Sequence, residues 1–171
     1  KGLASAFSRG LIESTGDYIC WIDTNMGEVS EKFSKMKSEL DEESDVVILS
    51  RYVKGGGDER VLLRSVGSKI FNTFCRLLFR IPTKDLTSSI FLMKRNILDE
   101  VTFLCYGHGE FFLEFLYNTH RKGFKIKEIP YIKKKDEDDS DSKSAPNLIK
   151  FFFHGLMYLL RAFVTIFRRK N

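Results

Sequence analysis

Tyr18-Ile19-Cys20-Trp21-Ile22 runs without a charge into Asp23-Thr24-Asn25, and no other stretch limits the architecture as much. Its β-branched and aromatic residues follow the turn signal Thr15-Gly16, which predicts a short buried strand. Open α/β sheets bind ligands at the carboxyl ends of their strands, so polar residues released there are site candidates. Asp23 and, two residues on, Asn25 offer hard oxygen ligands suited to Mg²⁺ or Mn²⁺ bridging a diphosphate. The competing reading is an Asx-type turn in which both side chains bond only nearby backbone amides.

The flanking segments enlarge this unit. Leu3, Ala4, Phe7, Leu11 and Ile12 line one side of a helix from about Gly2 to Ser14. Phe33, Met36 and Leu40 recur at helical spacing after Ser30, and Asp45-Val46-Val47-Ile48-Leu49 is a second buried strand, left by Ser50-Arg51-Tyr52. Helix–strand–helix–strand with short links implies a parallel α/β sheet. A length of 171 residues allows one domain with a real core, and 43% hydrophobic with 30% charged residues excludes a disordered chain. Cys20, Cys75 and Cys105 lack metal-ligand spacing and are expected as buried free thiols in a reducing compartment. No signal peptide is recognisable, and an opening without Met in mid-helix leads us to expect a fragment.

Further on, Lys54-Gly55-Gly56-Gly57-Asp58 is expected to be too glycine-rich for regular structure, and no Gly-Lys-Ser/Thr follows to make a phosphate loop of the Walker type. From Arg60 to Arg80 a helix mixes Leu62, Leu63, Ile70, Phe71, Phe74, Leu77 and Leu78 with Arg60, Arg64, Lys69, Arg76 and Arg80. Its basic side faces either solvent or phosphate and lipid head groups. Residues 83–89 form a polar turn whose only acid is Asp85, before a strand Ile90–Met93. Arg95–Phe103 and Glu110–Lys122 read as helices, Lys125–Tyr131 as a strand, and Asp136–Lys143 as a mostly acidic loop.

The tail has its own pattern. Lys150, His154, Tyr158, Arg161, Thr165 and Arg168 follow one another at steps of 4, 4, 3, 4 and 3, which keeps them on one narrow helical wedge. Charges interrupt the apolar run too often for a spanning helix of about 20 residues. The wide apolar arc instead predicts a helix in the membrane interface, with Arg168-Arg169-Lys170 on head groups; packing on the protein's own core is the competing reading. The formal charge of +5 agrees with phosphate-bearing partners or an anionic surface. Nucleic acid is not expected, because no reading motif is present and the aromatics sit in apolar faces.

Taken in order, these segments resemble the polyprenol-phosphate glycosyltransferases of family 2, the dolichol-phosphate mannose synthase group. Lys1-Gly2-Leu3-Ala4-Ser5-Ala6 is similar to that family's Lys-Gly-Leu-Gly-Ser-Ala helix start. Thr15-Gly16-Asp17-Tyr18 and Asp23-Thr24-Asn25 stand where it has Thr-Gly-Asp and its Asp-x-Asp metal motif. Ser50-Arg51-Tyr52-Val53-Lys54-Gly55-Gly56 resembles its Ser-Arg-Tyr stretch, and Asp85-Leu86-Thr87-Ser88 its Asp-x-Thr-Ser-Gly-Phe turn. Gly109-Glu110-Phe111-Phe112, Glu128-Ile129-Pro130 and Ser142-Lys143 recur in the same order.

The resemblance implies a partial glycosyltransferase type A domain, Rossmann-like with a mostly parallel sheet, over residues 1–145, without the part that holds the nucleotide base. Residues 146–171 would then be the amphipathic membrane-associating helix. It implies transfer of a sugar from a nucleotide-sugar donor to a polyprenyl or dolichyl phosphate at the cytoplasmic face of the endoplasmic reticulum or plasma membrane. Asp23, Asp85 and Arg51 become candidate catalytic residues, Asp23 and Asn25 the ligands of Mg²⁺ or Mn²⁺, and Lys1, Arg64 and Lys143 the phosphate-binding cations. The sequence departs from the family at Asn25, at Gly27, at Ser89-Ile90 and at Glu137, where an Arg is usual, and at Ser140, where a Gly is usual. Asn25, Gly27 and Glu137 favour the alternative of a degenerate, non-catalytic paralogue acting as a membrane-bound interaction protein.

Overall fold

The computed structural model describes residues 2–22, 29–88, 90–105, 107, 109–134 and 148–168. The uncharged run is strand β1, Tyr18–Trp21, preceded by helix α1, Leu3–Glu13. Helix α2, Val29–Glu42, and strand β2, Val46–Ser50, follow as the apolar spacing predicts. Next come a two-residue strand β3, Gly57–Asp58, the long helix α3, Leu62–Phe79, and strand β4, Phe91–Lys94. A short 3-10 helix, Arg95–Asp99, precedes α4, Phe111–Arg121. Strands β5, Ile126–Pro130, and β6, Ile132–Lys133, lead to the tail helix α5, Leu148–Phe167.

The main sheet has the order β1-β4-β2-β5. β2 and β5 are parallel, but β4 inserts antiparallel between β1 and β2. The expected parallel sheet is therefore a mixed one, in which three strands share a direction. The inserted strand has a consequence for the site. Trp21 and Ile48 both pair with Phe91, so the carboxyl ends of β1 and β2 and the amino end of β4 meet at one edge.

The period-two alternation of the strands builds a core on each side of the sheet. Val46, Ile48, Phe91 and Met93 join α1, α3 and α4 on one face, while Val47, Leu49 and Leu92 join Met36 and Leu40 of α2 on the other. A slip of one residue would exchange the two sets, which fixes the register. The first core is largely aromatic: Phe103 stacks on Phe115 at 4.1 Å, Phe91 on Phe112 at 5.1 Å, and Phe7 meets Trp21 edge-on at 4.6 Å.

Two expectations fail for local reasons. Gly57-Asp58 is a strand after all, because β2 and β5 carry their parallel pairing past the sheet edge. The Tyr131 amide donates to the Ser50 carbonyl, and the Gly57 amide to the Tyr131 carbonyl, which brings β3 beside β6. The helix expected over Arg95–Phe103 stops at Asp99, and Phe103 is drawn instead into the ring cluster with Phe7, Phe91 and Phe115.

Candidate active site

Arg51 leaves the carboxyl end of β2 directly into a buried ion pair. Its Nε and Nη2 donate to Asp85 Oδ2 and Oδ1 at 2.8 and 2.7 Å, and its backbone N–H donates to Oδ2 at 3.0 Å. Asp85 is 0% exposed and Arg51 5%. A planar guanidinium fork on a carboxylate is the strongest geometry such a pair offers. Burial opposes the charge on Arg51, but the Asp85 hydrogen bonds and charge outweigh it and hold the guanidinium protonated. Tyr52 lies under the guanidinium, its ring centroid 4.9 Å away.

The turn carrying Asp85 is fixed from three sides. The Lys84 and Asp85 amides donate to the Glu128 carboxylate of β5 at 2.8 and 3.0 Å. Asn72 of α3 accepts from the Leu86 amide at 2.6 Å and donates to Thr87 Oγ1 at 2.8 Å. Arg51 Nη2 also donates to Thr87 Oγ1, at 2.8 Å. The Thr87 amide donates to Asp85 Oδ1 at 3.3 Å, which closes an Asx turn. Asp58 of β3 stands 3.5 Å from Arg51 Nη1 and accepts from Arg60 Nε and Nη2 at 2.8 and 2.6 Å. Burial of Asp58 favours the neutral acid, yet Arg60 and Arg51 together hold it below the usual carboxylate range.

Of the candidate residues, Arg51 and Asp85 are brought together, and each spends its polar atoms mainly on the other. Arg64 stands half-buried in the first turn of α3, and Tyr52 Oη donates to Ser68 Oγ one turn further along, at 2.9 Å. Lys1, Asp23, Asn25 and Lys143 lie outside the described residues, as do Gly27, Ser89, Glu137, Ser140 and Arg169-Lys170. Among the described residues no cluster of three acidic, His or Cys side chains has metal-binding geometry. Asp58, Asn72 and Glu128 were missed as members of the network. Asn72 had a signal: Ser68, Asn72, Cys75 and Phe79 share one helical stripe, and the last three are buried.

α3 and α5 stand beside each other with large apolar side chains turned outward. On α3, Leu62 is 76% and Leu77 73% exposed, with Val66 and Ile70 between them. On α5, Phe153, Leu156, Leu160 and Phe163 are exposed and Phe167 is 72% so. Phe71 meets Tyr158 edge-on at 5.7 Å, and Phe74 meets Phe163 at 6.4 Å, which joins the two faces. The polar wedge of the tail is divided: Arg161 and Thr165 are buried and face inward, while Arg168, expected on head groups, is exposed and reaches Glu114. The side chains of Lys150 and His154 are not described.

Comparison with known proteins supplies the family. Residues 1–102 match the family described as Glycosyl transferase family 2. Over 136 residues the chain is 30% identical to the dolichol-phosphate mannosyltransferase of Pyrococcus furiosus, covering 77% of this chain and 37% of that protein. In shape it is similar to glucosyl-3-phosphoglycerate synthase from Mycobacterium tuberculosis, solved in complex with uridine diphosphate, with a TM-score of 0.66 and 13% identity. That likeness covers 96% of this chain and 55% of the synthase, so the chain spans about half or less of each of these proteins. The mixed sheet, with its strand ends converging on one edge, is that of the glycosyltransferase type A fold. With more than half of its residues matched, the chain belongs to glycosyl transferase family 2.

Proposed function

We propose that this chain works in an inverting glycosyltransferase that moves a sugar from a nucleotide sugar to a polyprenyl phosphate at a membrane surface. The observation that carries the reading is the pair of outward apolar helix faces beside the end of the sheet where the Arg51–Asp85 pair sits. Contiguous apolar surface of this kind marks a membrane or partner site. Lys69 and Arg76 border the α3 arc at helical spacing. Each interfacial cation contributes about 1 kcal/mol on anionic lipid, so charge favours an anionic bilayer as the occupant. Among the described residues no helix is long and apolar enough to cross a membrane, which suits helices lying in the interface.

The chemistry follows from the acceptor. A phosphomonoester has a second pKa of about 6, so near pH 7 it is already a dianionic nucleophile and needs no strong base. What the enzyme must supply is cationic positioning, assigned here to Arg64, Lys1 and Lys143. Arg51 and Asp85 act as a positioning pair that holds the exit of β2 against the 85–88 turn. Asp23 and Asn25 follow the carboxyl end of β1 and are hard oxygen donors, a set that fits Mg²⁺ or Mn²⁺. That ion would offset the charge developing on the leaving diphosphate.

GDP-mannose is the first donor to test and UDP-glucose the second, on the cytoplasmic face. The test incubates full-length protein with polyprenyl phosphate, Mn²⁺ and a panel of nucleotide sugars. Metal-dependent transfer from one donor is expected, and Asp23→Ala should abolish it, since no second carboxylate stands in Asp23-Thr24-Asn25. Asn25→Asp should retain activity. No transfer from any donor would leave the degenerate paralogue as the surviving reading.

A further inference from the structure

α5 carries an inward polar stripe opposite its outward apolar arc. Arg161 Nη2 lies 2.5 Å from Glu114 Oε2 and Arg168 Nη1 3.2 Å from Glu114 Oε1, so one buried carboxylate of α4 takes two arginines of α5. Burial raises the Glu114 carboxyl above its ordinary range against the pull of Arg168. Burial, helped by the charge of Arg168, lowers Arg161 to about 10. Desolvated ion pairs return little net stability, because the desolvation penalty rivals the attraction. The polar stripe thus adds little to the docked position of α5, which also rests on Ala162 in the aromatic core and Ile166 packed against it, while its apolar arc stays exposed.

Three residues before Arg161, Tyr158 reaches the catalytic side of the fold. Its ring packs edge-on against Phe71 of α3, and its hydroxyl stands over Gly109, where an added Cβ would lie 3.1 Å from Tyr158 Oη. Gly109 has φ +119, a backbone conformation that residues other than glycine rarely adopt. Gly109 lines, together with Leu3, Phe7 and Trp21, a small apolar cleft at the carboxyl end of β1. On its other side it leads through Glu110 into α4. Burial and then the Glu110 carboxylate push the Tyr158 phenol up, and Arg51 acts on it in the opposite direction. Tyr158 therefore stands against the turn before α4 and ties it to α3 through Phe71.

We infer that Tyr158 is a positioning residue through which lipid engagement of α5 orders the Gly109 turn, and with it the catalytic end of the sheet. The inference rests on the membrane reading above. A lipid surface that binds α5 only with its apolar arc outward favours the docked state, because a ligand shifts an equilibrium by its differential affinity. The docked state is the one that seats Tyr158 on Gly109.

The experiment measures hydrogen exchange in peptides covering Gly109–Phe115 of the full-length protein, with and without phosphatidylcholine–phosphatidylserine vesicles, alongside vesicle flotation. The wild type should float and show exchange slowed several-fold by vesicles. Tyr158→Ala should float equally well and lose that vesicle-dependent slowing. Tyr158→Phe, which keeps the packing on Phe71 and so guards against a folding defect, should lose part of it. A merely structural role would speed exchange equally with and without vesicles. Full protection in Tyr158→Phe, or a wild type that floats with unchanged exchange, overturns the coupling alone. A wild type that does not float overturns the membrane reading and the coupling with it.

Discussion

Replacing Asp85 by alanine tests whether the Arg51 fork holds the site's framework. The carboxylate accepts from the Arg51 amide, Nε and Nη2 at 3.0, 2.8 and 2.7 Å, and Arg51 is 5% exposed. Its removal leaves a buried guanidinium with Thr87 Oγ1 and with Asp58 at 3.5 Å. Breaking a buried pair from one side costs about 3–5 kcal/mol. A domain has only roughly 5–15 kcal/mol in total. Asp85→Asn keeps an oxygen acceptor and should lose less, about 1.5–3 kcal/mol. The double variant Arg51→Met with Asp85→Leu removes both charges together and should cost less than the two single changes added. It should not be neutral, because the Arg51 and Thr87 amides lose their acceptor at about 1–3 kcal/mol each. Urea unfolding followed by circular dichroism reads these losses as midpoint shifts at constant slope. A loss below about 1 kcal/mol for Asp85→Ala, or strict additivity in the double variant, would refute the network.

Asp58 has a folded pKa depressed below its unfolded value, so its stabilisation is present above the unfolded pKa of about 3.9 and disappears as pH falls through the folded one. Asp58→Asn should accordingly lower stability at neutral pH and flatten the acid limb of a melting-temperature profile; an unchanged acid limb would count against the assignment. Gly56→Ala should cost roughly 1–3 kcal/mol, since its Cβ would come 2.6 Å from the Ser50 carbonyl oxygen and 2.8 Å from the Arg51 backbone. Gly10→Ala, in the interior of α1 with nothing within 4 Å, should instead gain roughly 0.5–1 kcal/mol in the same denaturation assay.

Strand identity was legible wherever a short apolar run had polar borders, as for β1 and β2. Strand order was not. The antiparallel entry of β4 between β1 and β2 depends on pairings such as Trp21 with Phe91 and Ile48 with Phe91, and no local pattern encodes partners so far apart in the chain. Asp85 stood out as the lone acid of a polar turn, but its meaning changed on folding. Its partners come from the exit of β2, from α3 and from β5, so an acid that looked available to a substrate is enclosed by protein donors. Arg51 shows the same limit: a cation after a strand reads as a catalytic candidate until a carboxylate from another element reaches it.

Helical periodicity divides a helix into two faces without saying which one turns inward, and α3 and α5 both make the less usual choice. On α3 the long apolar side chains Leu62, Ile70 and Leu77 are exposed beside the basic ones, and the buried stripe holds Asn72, Cys75 and Phe79. On α5 the charged wedge looked like the wet side, yet Arg161 and Thr165 are buried. In each case polar groups of the body needed satisfying: the Leu86 amide by Asn72, and the Glu114 carboxylate by Arg161 and Arg168. A buried polar group without a partner costs about 1–3 kcal/mol, more for a charge. Leaving a leucine side chain exposed forgoes about 1.5–3 kcal/mol of burial. The two terms are comparable, so water alone gives no strong reason to turn so many large apolar groups outward. The proposed lipid surface would bury these groups and break the balance in favour of the observed orientation.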